Sequence, residues 1–594
     1  MESHCDLPRN IELEKHNYCM VCLFPQQMYK YYQSIAFHSN DDDEFDNIIE
    51  YIKLNLTGNP LYVKTYLKYM VFFYKMTAFV RDIEIGYGKR DSFYGLVCKW
   101  YEHFPDLSLL LLDLNVKSID NTTKPLGSWK DINYLCQYVN ARYNNKDHPL
   151  ILYAIYLMIN EIKKDIRTIR TNINTSTTTY SPISLAGKWA PREKSKFEWI
   201  FKKMACLYFP YFFNNNNTDT QNKYATTKCF MKFRQICSCL NKKLNTLERI
   251  QSDKRYDKIN IHNLTSDNLI SKRKWLLNIT HQGDQSSINQ ERINLGLQMQ
   301  FFIENSKSNN DNDNHNHNHK HKHLKNKQYC IVKLVKAAWE YDDLSILNNT
   351  NNKYEGDLLN IIWKHMCNQI EPLINILPII DSSFSMDDYS FYRAIGFGLL
   401  ICEKSSLGKK ILVSNVRGFW INLEKCDTLL DMIKIVKTHI NRVNSNLLDS
   451  YKLICRFLLD EPNSKELLQN MNLLILSNLT FDSVKNTTFM SNIYDFFIEN
   501  KQLPSLIPKT IFWAFSGTQP HQHISGHLNS TIITGGNINM INLFWSKKNS
   551  HISINFNSQP LFLKYLEKHL RSPIYKLLED KSAETMINMF LSRN

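Results

Sequence analysis

The rhythm of apolar residues changes once along this chain, near Gln328, and that change constrains the fold more than anything else in the sequence. Before it, apolar positions recur every three or four residues. Tyr62, Tyr66, Met70, Phe73 and Met76 form one such series, Ile151, Ala154, Ile155, Met158 and Ile162 another, and Phe230 to Arg249 repeats the pattern. That spacing lines one face of a helix. After Gln328, short apolar runs alternate with helical stretches. Leu373–Ile380, Lys410–Val416, Leu473–Leu476 and Thr510–Phe515 read as strands. Tyr389–Glu403, Thr428–Val443 and Leu447–Leu459 read as helices. Alternation of this kind predicts a doubly wound, parallel α/β sheet buried on both faces. The expected architecture is an all-helical N-terminal domain of stacked helical pairs, without a strict repeat, followed by the α/β domain. Pro378 conflicts with a central strand, because proline donates no ladder hydrogen bond.

A chain of 594 residues exceeds what one core normally holds. The expected segments are a leader with a first helix at 1–55, the helical domain at 56–303, connecting helices at 328–370, the α/β domain at 371–545 and a helical extension at 546–594. Three low-complexity tracts, Thr171–Tyr180, Asn214–Gln221 and Asn305–Lys327, lack apolar material to bury and read as loops. The last includes an Asn/His-rich insertion, expected to be disordered, with histidines alternating from His315 to His323. Repeat expansion explains that tract better than a metal site does.

Charge is concentrated. The chain carries net +15, and Ala186–Trp275 alone holds 19 Lys+Arg against 7 Asp+Glu, a difference of +12. From Glu371 to the end the balance is 23 against 19, or +4. A concentrated basic surface favours polyanions, nucleic acid first, although a merely solvated face would look the same. The 14 cysteines show no disulfide spacing, and Cys98, Cys402 and Cys455 sit in apolar runs as small hydrophobes. That fits a reducing, cytoplasmic setting. The polar N-terminus shows no signal peptide, and no uncharged apolar run is long enough to span a membrane.

Asp381-Ser382-Ser383-Phe384-Ser385 directly follows the first expected strand and precedes a helix. Asp381, Ser383 and Ser385 would then stand at the carboxyl edge of the sheet, where doubly wound folds bind ligands. One carboxylate and two hydroxyls suit a hard cation such as Mg²⁺, which keeps most of its waters. The alternative is a Ser/Asp turn that caps the next helix.

This D-x-S-x-S motif resembles the opening of the metal-ion-dependent adhesion site of von Willebrand factor A-type (vWA) domains. The resemblance implies a second loop ligand at Ser445 and a third position at Asn478, after Leu473–Leu476. The family usually has Asp at the third position. Asn478 removes a negative charge, which implies weak or partner-dependent Mg²⁺ binding. Over most of residues 55–545 the chain resembles an uncharacterised domain-of-unknown-function family of plants, fungi and giant DNA viruses. The matching pieces are Asn59-Pro60-Leu61-Tyr62, Arg81-Asp82-Ile83, Gly86-Tyr87-Gly88-Lys89, Gly127-Ser128-Trp129-Lys130-Asp131, Ala190-Pro191-Arg192-Glu193, Ile511-Phe512-Trp513 and Gly517-Thr518-Gln519-Pro520. That family is similar in layout to Ro/TROVE proteins, which implies a HEAT-like or TROVE-like helical domain that binds RNA, joined to a vWA-like domain.

The residues themselves are compatible with that implication. Gly86 and Gly88 flank the basic pair Lys89-Arg90, where a phosphate could approach the backbone, or where a loop simply needs glycine. Trp129 adjoins Lys130, Trp189 lies between Lys188 and Arg192 with Lys194 beyond, and Lys272-Arg273-Lys274 precedes Trp275. Rings interleaved with cations suit unpaired bases, and core tryptophans beside surface cations would read alike. Cys19-x-x-Cys22 has no regular second pair, so zinc is not expected. No Ser-His-Asp order, P-loop or H-E-x-x-H appears, and nothing in the chain demands catalysis. The expected role is non-catalytic RNA binding as a ribonucleoprotein scaffold; the alternative is a protein-interaction module that captures an acidic partner through a cation at the sheet edge.

Overall fold

The structure, a computed structural model, describes residues 42–58, 60–119, 123–174, 182–213, 218–280, 283–308, 330–341, 350–384, 386–414, 418–440, 447–460, 464–478, 489–515, 530–534, 536, 538, 541 and 573–591. These fall into two compact units, Met1–Thr246 with Ser558–Asn594, and Leu247–Asn557. The leader ahead of Asp42 and most of the His-rich tract lie outside the described residues.

The first unit is helical. Its main helices are α1 (Asp42–Gly58), α2 (Pro60–Arg81), α3 (Arg90–His103), α4 (Pro105–Val116), α5 (Lys130–Tyr143), α6 (Pro149–Asn174), α7 (Glu198–Tyr208) and α8 (Asp219–Leu244). Pro60, Pro105 and Pro149 each open a helix, where a missing N–H costs nothing. The faces read from periodicity are the buried ones: Tyr66, Met70, Phe73 and Met76 on α2, and Ile151, Ala154, Ile155, Met158 and Ile162 on α6. Trp100 is fully buried among Phe45, Phe73 and Tyr74, and its indole N–H donates to Thr77 Oγ1 at 2.8 Å. The C-terminal helix Pro573–Leu591 packs on α2, with Tyr575 donating to Asp82 at 2.9 Å and Glu579 pairing with Lys75.

One expected loop is partly helix. Asn214–Gln221 ends in a capping box, in which Thr218 accepts from the Gln221 N–H at 3.3 Å and Gln221 accepts from the Thr218 N–H at 2.9 Å. Polar low complexity hid an N-cap signal. The first tract is likewise helical through Asn174, and the third through Ser308.

In the second unit, α9 (Gln290–Ser308), α10 (Ile331–Trp339) and α11 (Thr350–Asn368) precede the sheet. Residues 247–303, whose periodicity matches the helices before them, belong to this unit. The remaining elements are β1 (Ile376–Asp381), α12 (Asp388–Lys404), β2 (Lys410–Ser414), β3 (Phe419–Asn422), α13 (Leu429–His439), α14 (Leu447–Leu459), α15 (Ser464–Asn470), β4 (Asn472–Ser477), α16 (Phe489–Glu499), β5 (Lys509–Ala514) and β6 (Ser530–Thr534). The sheet order is β3-β2-β1-β4-β5-β6, with every pairing parallel except β2–β3. The sheet is therefore mainly parallel, with β3 as an antiparallel edge strand. β3 escaped the sequence reading because it is four residues long and half-exposed, and β6 because Ser-Thr-Ile-Ile-Thr holds only two apolar residues. All six residues of β1 are buried, as a strand covered on both faces requires. Pro378 sits within it opposite Leu474 of β4, while the ladder to β2 starts only at Ile379.

Candidate functional site

In the helical unit the sequence pieces around Arg81, Gly86 and Gly127 come together first as a buried polar hub. Arg81 pairs with Asp131 at 2.6 Å, their side chains only 7% and 3% exposed. Asp131 Oδ2 also accepts from the Ser128 N–H at 3.0 Å and from Asn115 at 3.3 Å, and Tyr94 donates to Oδ1 at 3.2 Å. A Cβ on Gly127 would lie 2.2 Å from that carboxylate, so only glycine lets the chain pass. Asp82 closes the neighbouring turn by accepting from the Glu84 and Ile85 N–H groups, and burial pushes its carboxyl up. The turn folds back on α2, with Tyr87 N–H donating to Phe79 O and Lys89 N–H to Val80 O. A Cβ on Gly86 would meet that Phe79 carbonyl at 2.0 Å.

The hub fixes where α3 and α5 begin, and both begin with cations. Arg90 opens α3 one turn before Tyr94, and Lys130 opens α5 one residue before Asp131. They converge on Tyr134: the Arg90 guanidinium lies 3.9 Å over its ring and Lys130 5.7 Å. Lys196 sits 4.3 Å over the same ring and donates to its hydroxyl at 3.2 Å. Lys130 and Lys188 lie 5.3 and 5.7 Å over Trp189, and Phe197 meets Tyr134 edge-on at 5.1 Å. The hydrogen bond from Lys196, with the charges of Lys130 and Arg90, holds the Tyr134 phenol below the usual range.

A cation laid on a ring keeps its charge and most of its donors, unlike one paired with a carboxylate. Among the described residues no carboxylate lies within ion-pair distance of Lys130, Arg192, Lys194 or Lys196; Glu193 pairs instead with Arg234 and Glu198 with Lys202. Arg90 shares its charge with Asp91 at 3.4 Å, so among the described residues the charges free to meet an external anion are those of Lys130, Arg192, Lys194 and Lys196.

Of the expected cations, Arg90, Lys130 and Lys188 meet on these rings. Lys89 is the half-buried residue ahead of α3, and Arg192 and Lys194 are exposed on the loop that ends at Lys196. Tyr134 and Lys196 were not singled out from sequence; Tyr134 stands four residues after Lys130, the helical spacing that brings the two together. Trp129 is 7% exposed and belongs to the core. Lys272, Arg273 and Lys274 lie in the other unit. There Arg273 pairs with the buried Glu355 at 2.6 Å and Lys274 approaches it at 3.7 Å, while Trp275 is covered by Arg292 at 4.1 Å. Those two cations neutralise an internal acid; Lys272 is exposed.

At the sheet, Asp381 is the last residue of β1, in register with Ser414 of β2. β1 has β2 on one side and β4 on the other, which makes its carboxyl end the topological switch point. Asp381 Oδ2 accepts from Ser477 Oγ of β4 at 2.6 Å, and Oδ1 accepts from the Ser383 N–H at 2.9 Å. Ser382 donates to the Ser414 carbonyl. Asn478 follows Ser477 at the same edge and is 4% exposed. Ser385 and Ser445 lie outside the described residues. The cap of α12 is Asp387, which accepts from the Ser390 N–H at 2.6 Å, so the Asp381 loop is not the helix cap. Among the described residues no three His, Cys, Asp or Glu side chains gather as a metal site. One carboxylate with hydroxyl and amide oxygens is a hard-donor set that fits Mg²⁺ at low charge.

These features define a two-part protein, a helical unit with a cation-on-ring surface joined to an α/β unit with an acid at its switch point. No family profile matches the chain and no curated protein matches it. Among solved structures it is similar to the crystal structure of the Deinococcus radiodurans RO (RSR) protein, at 9% identity over 75% of this chain and 89% of that one, with a TM-score of 0.29. A likeness of that size leaves the site to rest on the residues just described. No described helix is long and apolar enough to cross a membrane.

Proposed function

We propose that this chain is a non-catalytic RNA-binding scaffold whose helical unit grips the RNA backbone at the Tyr134–Trp189 surface. The observation that carries it is the gathering of Arg90, Lys130, Lys188 and Lys196 on two rings. Phosphate is the ligand that uses such a surface best. It is multiply accepting, singly charged at each residue and repeated along a strand, so several cations act at once and release counterions. Here the rings hold the cations in place; they are not base-stacking platforms themselves, since their faces are already covered. Reversing Lys130 and Lys196 to Glu is expected to weaken RNA binding and flatten its salt dependence.

For the α/β unit the reading is a vWA-type domain with a degenerate adhesion site. It is supported by the strand order, by Asp381 at the switch point and by the Ser477–Asp381 bond. In that reading Asp381, Ser383, Ser385, Ser445 and Asn478 would hold a weakly bound Mg²⁺, and an acidic group of a protein partner would complete its coordination. A contact of that kind is abolished by chelator and is indifferent to moderate salt, which separates it from RNA binding by the helical unit.

A further inference from the structure

Tyr211 is 65% exposed, on a turn anchored by a buried neighbour. Pro210 opens the 3-10 turn Pro210–Phe212, and Phe209 beneath it is buried, its carbonyl 4.0 Å from Cys229 Sγ. The Tyr211 ring leans on Phe212 at 4.7 Å and on Phe209 at 6.0 Å. Phe212 is covered by Lys228 and Lys232, 4.7 and 5.0 Å over its ring. Next to it, Lys163 lies 5.2 Å over Tyr208. Burial raises the Tyr208 phenol while Arg170 and Arg167 act against that rise, which places two more cations within electrostatic reach. Among the described residues no carboxylate lies within ion-pair distance of any of these five cations.

An exposed ring beside uncompensated cations is what an unpaired base and its phosphate require together. The location adds to this. Tyr208 ends α7, and Lys196 and Phe197 of the Tyr134 surface immediately precede its start. A helix of 11 residues spans about 16 Å, a distance that a few nucleotides of extended strand cover. We infer that Tyr211 is a base-stacking subsite for single-stranded RNA, about one helix length from the Tyr134 phosphate site. Unlike the rings of that site, Tyr211 carries no cation on its face among the described contacts. This subsite rests on the RNA reading above and adds to it the class of RNA: a strand with unstacked bases, bound at two points.

The test uses the full chain, a short oligouridylate, and the same oligomer with abasic riboses at its central positions, followed by fluorescence anisotropy. The parent is expected to bind the intact oligomer about tenfold more tightly than the abasic one. Tyr211→Ala should lose about the same factor on the intact oligomer and no longer distinguish the two, while Tyr211→Phe should behave like the parent. If Tyr211→Ala binds like the parent while the Lys130→Glu, Lys196→Glu variant is weakened, the stacking subsite is wrong and the phosphate surface stands. If the parent does not bind the oligomer, or neither variant changes binding, both readings fail. Tyr211-dependent binding to phosphatidylserine vesicles without any RNA effect would make the patch a membrane contact and overturn the inference.

Discussion

Arg81 and Asp131 meet at 2.6 Å in the interior of the helical unit, 50 residues apart in sequence. The pair ties the end of α2 to the start of α5, and α3 joins it through Tyr94. The cations that face outward, Arg90 and Lys130, stand on the first turns of the two helices so joined. A buried ion pair therefore fixes the positions of two half-buried cations.

Removing one partner should strand the other. Arg81→Ala is expected to destabilise the unit by about 3–5 kcal/mol, because Asp131 would remain buried with its strongest partner gone. Replacing both, as in Arg81→Met with Asp131→Leu, should cost less than the single change. Gly127→Ala should be severe too, since its methyl would overlap the Asp131 carboxylate. Urea unfolding of the three variants, followed by the near-ultraviolet signal of the unit, gives the order; a double variant less stable than Arg81→Ala would contradict it.

At the sheet edge the charge on Asp381 decides the metal. The parent should bind Mg²⁺ weakly, Asn478→Asp more tightly, and Asp381→Ala not at all, by titration calorimetry. Ser477→Ala should also alter binding, because it frees Asp381 Oδ2 from a 2.6 Å hydrogen bond. Tight binding unchanged by Asp381→Ala would place the cation elsewhere.

The helical faces and the β1–Asp381 edge were legible because both depend on local pattern: apolar spacing in one, a strand running into an acid in the other. β3 and β6 were not, since one is four residues long and the other nearly polar. Among the cations, Arg90, Lys130 and Lys188 were found by their neighbours in sequence. Arg273 and Lys274 looked the same locally, yet their partner Glu355 lies more than 80 residues on, where no local pattern reaches. Tyr134 and Lys196 were missed for the same reason, being 62 residues apart. Even Gly86 was open to two readings until the Phe79 carbonyl was placed against it.

Tyr134 reports the field of its neighbours. Its phenol is held low by the Lys196 hydrogen bond first, then by Lys130 and Arg90. A folded-state pKa below the unfolded one adds stability above the unfolded tyrosine range, and this is lost as pH falls through the folded value. The term is therefore absent at neutral pH and grows only in the alkaline range. Difference absorbance of the parent against Tyr134→Phe should show one phenol ionising early, and Lys196→Ala should return it toward the ordinary value. An unshifted phenol in the parent would mean that the cations do not gather on this ring in solution.

The most direct measurement is the affinity of the full chain for single-stranded RNA as a function of salt, for the parent, for Lys130→Glu with Lys196→Glu, and for Lys272→Glu in the other unit. A single-stranded contact contributes about 0.7 to the slope of log affinity against log salt for each phosphate neutralised. The parent should bind with a steep negative slope. The double variant should bind more weakly with a slope shallower by about 1.4 or more, and Lys272→Glu should match the parent. A parent that shows no salt-dependent binding, or a double variant with the parent's affinity and slope, would contradict RNA binding at the Tyr134 surface.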